Sequence, residues 1–234
     1  MKITRRSIGR IVASLTVLLL VCSWVAPESL SQAPLAAVED LLRSASIPST
    51  DRILTAFQLG ISEGTLSPDS ALLLTDRLLQ SSGLQSDKET VLLTLTTTLE
   101  LALPVERLID KVIEGISRRV ALSAIRFEIE VRARLQAGVR DVLFSKGIFV
   151  GGRGSGGTSL PQDRFDLLVM HIADALGDYR EGGGSPLDYP SVSLAVQQRL
   201  TYLSGSVIPM ADIELALARI EPTELGSVLL GALE

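Results

Sequence analysis

The chain has one cysteine, one histidine and one tryptophan among 234 residues. With Cys22 alone, no intramolecular disulfide can form, so the fold must rest on core packing. With His171 alone, a Cys/His transition-metal site lacks its ligands, and no cofactor is expected. Aromatic residues are only 4%, so Leu, Val, Ile and Ala must fill the core, which favours packed helices over sheets. No G-x-S-x-G nucleophile elbow occurs. The composition, 46% hydrophobic and 21% charged, excludes a disordered or fibrous bulk.

Positive charge in excess is confined to two places. The first is the N-terminus, where Lys2, Arg5, Arg6 and Arg10 precede an apolar run over residues 11–21. That order is the pattern of a secretory signal peptide, expected over residues 1–26, and it implies export to the periplasm or beyond. The Arg5-Arg6 pair has the look of a twin-arginine signal, although the Leu-rich run suits the general secretory route. Cys22 follows Val21, where a lipoprotein box has a small residue, so membrane contact would come only through an uncleaved signal or a lipidated Cys22. Removing the four basic residues takes the net charge from -5 to -9, a poor balance for binding nucleic acid.

The second basic place is residues 118–146. Arg118, Arg119, Arg126, Arg132, Arg134, Arg140 and Lys146 stand there against Glu128, Glu130 and Asp141. The arginines are a candidate docking face for an anionic envelope component or an acidic protein. The plainer reading is a solvated helix laced by pairs four residues apart, Arg126/Glu130, Glu128/Arg132 and Glu130/Arg134.

Helical signals fill the rest of the chain after a tether over residues 27–34. "SPDSALLLTDRLLQ" has Ser67 as N-cap and Pro68 at the first helical position. Ser86 and Glu89 have capping-box spacing. The β-branched residues over 91–101 also allow a strand. Pro104, Pro209 and Pro222 mark boundaries. "DRILTAFQLGIS" from Asp51 aligns with "ERLIDKVIEGIS" from Glu106, a repeated helical hairpin in which Gly60 and Gly115 are expected to end helices in the left-handed conformation. The expected fold is all-α, a compact array of about nine helices with this hairpin in the N-terminal half. Residues 35–146 form a helical domain, 147–160 a Gly-rich connector and 161–234 a C-terminal helical segment.

The connector, "GIFVGGRGSGGTSL", contains Gly152, Gly154 and Gly157 at G-x-G-x-x-G spacing after an apolar triplet that suits a strand. A dinucleotide site needs a helix starting within those glycines, and here the helix signal begins at Ser159 or Pro161. The phosphate-loop lysine is also missing, since Gly157 occupies its place. The stretch therefore reads as a flexible connector.

His171, Asp174 and Asp178 share one face of the following helix and are the weak catalytic candidates. Ser155 or Ser159 would have to supply a nucleophile. The segment Lys111, Glu114, Gly115, Ser117 and Arg118 resembles a Lys-x-x-Glu-Gly helical turn found in uncharacterised exported bacterial helical proteins. That resemblance implies a helical turn and no activity. The expected function is therefore non-catalytic: an exported protein that binds an envelope partner through a groove between helices. The alternatives are a hydrolase or metal-dependent enzyme centred on His171, or a lipid-associated carrier with a hollow core.

Overall fold

A computed structural model of the chain describes residues 29–150, 158–204 and 207–234. The expected signal peptide lies outside the described residues. The fold is all-α, with ten helices among the described residues: α1 Ser29–Ser44, α2 Thr50–Glu63, α3 Pro68–Gln80, α4 Gln85–Glu100, α5 Glu106–Ser117, α6 Leu122–Ser145, α7 Gln162–Glu181, α8 Tyr189–Leu203, α9 Met210–Arg219 and α10 Pro222–Gly231. No described helix is long and apolar enough to cross a membrane.

Several start signals act as read. Ser67 caps α3, its side chain accepting from the Ser70 amide, with Pro68 in the first turn. Helix α1 starts earlier than expected and takes in Pro34, so it occupies part of the stretch read as a tether. Proline there removes one amide donor, while Val38 and Leu42 further along are fully buried and hold the helix down. The Ser86–Glu89 capping box does not form. Helix α4 begins at Gln85 behind Leu84, and Glu89 instead accepts a 2.7 Å bond from the Ser49 hydroxyl. Residues 91–100 are helical, not a strand. The Thr90, Thr94 and Thr98 hydroxyls each donate to the carbonyl four residues back, at 2.8, 2.9 and 2.8 Å, which satisfies them inside a helix.

The repeat is present, but its glycines serve a different purpose. Gly60 and Gly115 lie inside α2 and α5, and the left-handed residue comes four positions later, at Gly64 (φ 75°) and Arg119 (φ 59°). The two helix ends close with equivalent bonds. Gly64 N donates to Ile61 O and Thr65 N to Gly60 O; Arg119 N donates to Ile116 O and Val120 N to Gly115 O. This is the Schellman arrangement. The internal glycines are there for close approach: a β-carbon at Gly60 would lie 2.7 Å from Leu99 Cδ2, and one at Gly115 2.8 Å from Ile125 Cδ1.

The repeat also reaches further back than the hairpin. α1 and α4 are both 16 residues long. Their ends close alike, Ile47 N to Leu42 O and Leu103 N to Thr98 O, and Pro48 and Pro104 follow. The repeated unit is therefore three helices, α1–α3 and α4–α6. Within each unit the first helix packs on the third, and between units α2 packs on α4 and α3 on α5.

The core has two clusters, and α6 belongs to both. Its Leu122, Ile125 and Ile129 join the N-terminal cluster, with residues such as Phe57, Leu74 and Leu92. Its Val131, Leu135, Val139 and Leu143 join the C-terminal cluster, with Phe165, Leu168 and Val196. Helix α7 packs along α6, α8 against α7, and α10 against α6 and α8. The Gly-rich stretch is not a connector throughout. Ile148–Val150 (β1) and Thr158–Leu160 (β2) pair as a short parallel ladder. Arg219 clamps its base, donating to the carbonyls of Lys146 and Gly147 and to the Thr158 hydroxyl at 3.0–3.3 Å. Gly152, Gly154, Gly157 and Ser155 lie outside the described residues.

Candidate functional site

The densest charge in the described structure lies where α6 meets α7. On α6, Glu128 and Arg132 are one turn apart; on α7, His171, Asp174, Asp178 and Glu181 follow one another at helical spacing. Arg132 is only 3% exposed. Its Nε donates to Glu128 at 2.6 Å, and its Nη atoms reach Asp174 at 3.4 Å, Asp178 at 3.0 Å and Glu181 at 2.5 Å. Arg180 also pairs with Glu128, and Arg199 of α8 lies 3.7 Å from Asp174. Four carboxylates thus meet three guanidiniums, so the cluster is close to neutral. Gly177 makes the room: a β-carbon there would lie 2.9 Å from Arg132 Nη1.

Burial alone would lower the Arg132 pKa, but hydrogen bonds to Glu181 and Asp178 and the charge of Glu128 more than offset it, and the net shift is upward. Burial pushes the Asp174 carboxyl above its usual range, with Arg132 pulling it back. Burial also pushes Glu181 up, yet its pKa is lowered overall, with the hydrogen bond and charge of Arg132 among the causes. The guanidinium therefore stays charged, and its neighbours are engaged with it.

His171 lies on this same face, 2% exposed, with its Nδ1 buried and unpaired. Burial, reinforced by the positive charges of Arg199 and Arg107, lowers its pKa from 6.5 to about 4. A neutral imidazole sealed from solvent is poorly placed to meet a substrate. Ser159 sits on β2 and is exposed, on a different element from the buried histidine. Among the described residues no group of three or more His, Cys, Asp or Glu side chains is placed to hold a metal ion. The acids that gather here gather on Arg132.

The six arginines of the candidate docking face do not form one face. Arg132 is buried as described. Arg126 pairs with Asp87 at 2.9 Å and Glu130 at 3.9 Å. Arg134 donates to the Ala232 carbonyl at 3.3 Å, and Arg140 to the Leu101 carbonyl at 2.9 Å. Arg118 pairs with Glu114 at 2.9 Å. Arg119 is exposed, and its side chain makes no hydrogen bond or ion pair among the described residues. The helical-turn motif has a local physical reading too. Glu114 holds both Arg118 and Lys111, the latter at 3.5 Å, while Gly115 admits Ile125.

Sequence spacing finds the Glu128/Arg132 pair and the shared face of His171, Asp174 and Asp178. It misses Gly177, Arg180, Glu181 and Arg199. The available signal was the continuation of the acidic stripe to Glu181 along a face bounded by Leu168 and Ala175.

A second feature is open to solvent. Between α4 and α6 runs a groove of about 300 Å³, lined by Leu93, Thr94, Thr97, Leu101, Ala133 and Ala137 and flanked by Glu130 and Arg134. Leu101 is 41% exposed there.

Fold and site together define an all-α protein with a duplicated three-helix unit and a buried ionic lock. Compared with protein-family models, curated proteins and solved structures, the chain matches none of them.

Proposed function

We propose that this is an exported, non-catalytic helical protein that holds an apolar segment of an envelope protein in the α4–α6 groove. The observation that carries the reading is the groove itself: Leu93, Leu101, Ala133 and Ala137 offer apolar surface, and the threonine hydroxyls at 94 and 98 are already spent on their own helix. The charged groups at the α6–α7 contact support it as well, because Glu128, Asp174, Asp178 and Glu181 are each engaged with Arg132. Export rests on the basic head and apolar run of residues 1–21.

Site-specific photo-crosslinking in the native envelope tests the binding reading. A photoreactive residue at Leu101 is expected to capture a discrete polypeptide, and one at Leu73, 45% exposed on α3, is not. Equal labelling from both positions, or none from Leu101, would contradict it. N-terminal sequencing of the native protein tests export, and an intact Met1 on a cytoplasmic species would overturn that part.

A further inference from the structure

We propose that the cavity between the end of α3 and the α5–α6 corner binds a small amphiphilic carboxylate, held by Arg119. The cavity is about 320 Å³, at the small end of ligand-pocket sizes. Ser81, Ser82 and Arg119 contribute polar groups to its lining, and Ile116, Leu122 and Ile125 apolar ones. Such a mixed lining suits a ligand with one charged end and a short apolar chain.

The charge of the ligand follows from which groups are already committed. Ser81 donates its hydroxyl proton to the Leu78 carbonyl at 2.6 Å, which leaves Ser82 and Arg119 as donors to a ligand. The neighbouring cations Arg118 and Lys111 are both paired with Glu114. One uncommitted guanidinium suits one negative charge, and its planar fork matches a carboxylate.

The internal repeat sets the position of this side chain. Arg119 occupies the left-handed position of a Schellman turn whose sister in the first unit is Gly64. Stability alone favours glycine there, because the β-carbon of any other residue crowds the backbone. The side chain at 119 brings a positive charge to the cavity instead. Ser46 and Ala102 also stand at positive φ after α1 and α4, and of these three non-glycine residues only Arg119 lines this cavity and carries a charge. No residue of this cavity lines the α4–α6 groove, so the two proposals fail separately.

Calorimetric titration of the full chain with sodium octanoate tests the assignment, with octanol and octylamine as controls. Octanoate is expected to bind saturably at one site, and the controls at least tenfold more weakly. Arg119→Gly is expected to weaken octanoate binding at least tenfold while unfolding no more easily than the parent, which separates lost recognition from lost folding. Absence of saturable octanoate binding, unchanged affinity in Arg119→Gly, or equal affinity for octanol would each overturn the proposal.

Discussion

Gly177 of α7 lies directly against the guanidinium of Arg132 on α6, so close that a β-carbon on residue 177 would stand 2.9 Å from Nη1 and 3.0 Å from Cζ. In an unconstrained helix, alanine in place of glycine gains roughly 0.5–1 kcal/mol. Here the guanidinium is pinned by four carboxylates and has little freedom to retreat. Overpacking of about 1–3 kcal/mol should outweigh the helix gain. Gly177→Ala is expected to lose about 1 kcal/mol net in urea denaturation, and a gain would show that the network can shift.

The pH dependence of stability follows from His171. Its folded pKa is depressed to about 4 against 6.5 when exposed, so the unfolded chain takes up the proton first as pH falls. The contribution is fully present above pH 6.5 and is lost between there and about pH 4, up to about 3 kcal/mol. The lowered Glu181 acts in the same direction at lower pH, and the raised Asp174 opposes it. Denaturation of His171→Leu across this range should show a flatter profile than the parent. Parallel profiles would mean that the imidazole is not held neutral.

Equivalent turn positions should respond in opposite senses. Gly64→Ala places a β-carbon in the left-handed region with nothing within 4 Å, so it should cost about 1 kcal/mol from backbone conformation alone. Arg119→Gly should gain about 1 kcal/mol by the same argument reversed. Thermal unfolding of the two variants reads the pair directly, and matching signs would undo the equivalence of the two turns.

Alanine at Gly60 or Gly115 is expected to destabilise by about 1–2 kcal/mol through contact with Leu99 or Ile125, despite the gain in helix propensity. Truncating Leu99 or Ile125 together with the glycine should recover part of that loss. If each double variant is simply additive, close approach is not why glycine stands there.

Much of the fold was legible because its signals are local. Ser67–Pro68 begins α3, and Pro104 separates α4 from α5, because caps and missing amides act within a turn. The repeat was legible as sequence identity around Gly60 and Gly115. Its true extent was not, because α1 and α4 share length and end geometry but few side chains. The role of those glycines was also hidden. A glycine four residues before a helix end and one just past it look alike in sequence, and only the nearness of Leu99 and Ile125 separates them. The site divides in the same way. Spacing put His171, Asp174 and Asp178 on one face, and Glu128 one turn from Arg132. It could not say that these two faces meet, which turns an exposed arginine ladder into a buried ion-pair cluster.

We propose that the charges at the α6–α7 contact act as a structural lock between these two helices. Removing one member of a buried pair while leaving its partners typically costs 3–5 kcal/mol. The most direct test is chemical denaturation and native-state hydrogen exchange of Arg132→Met beside Arg118→Ala, whose ion pair is exposed. Arg132→Met is expected to lose about 3 kcal/mol, with protection falling first in α7 and α8, and Arg118→Ala less than about 0.5 kcal/mol. Near-equal stability for the two variants, with α7 as protected as in the parent, would contradict the account.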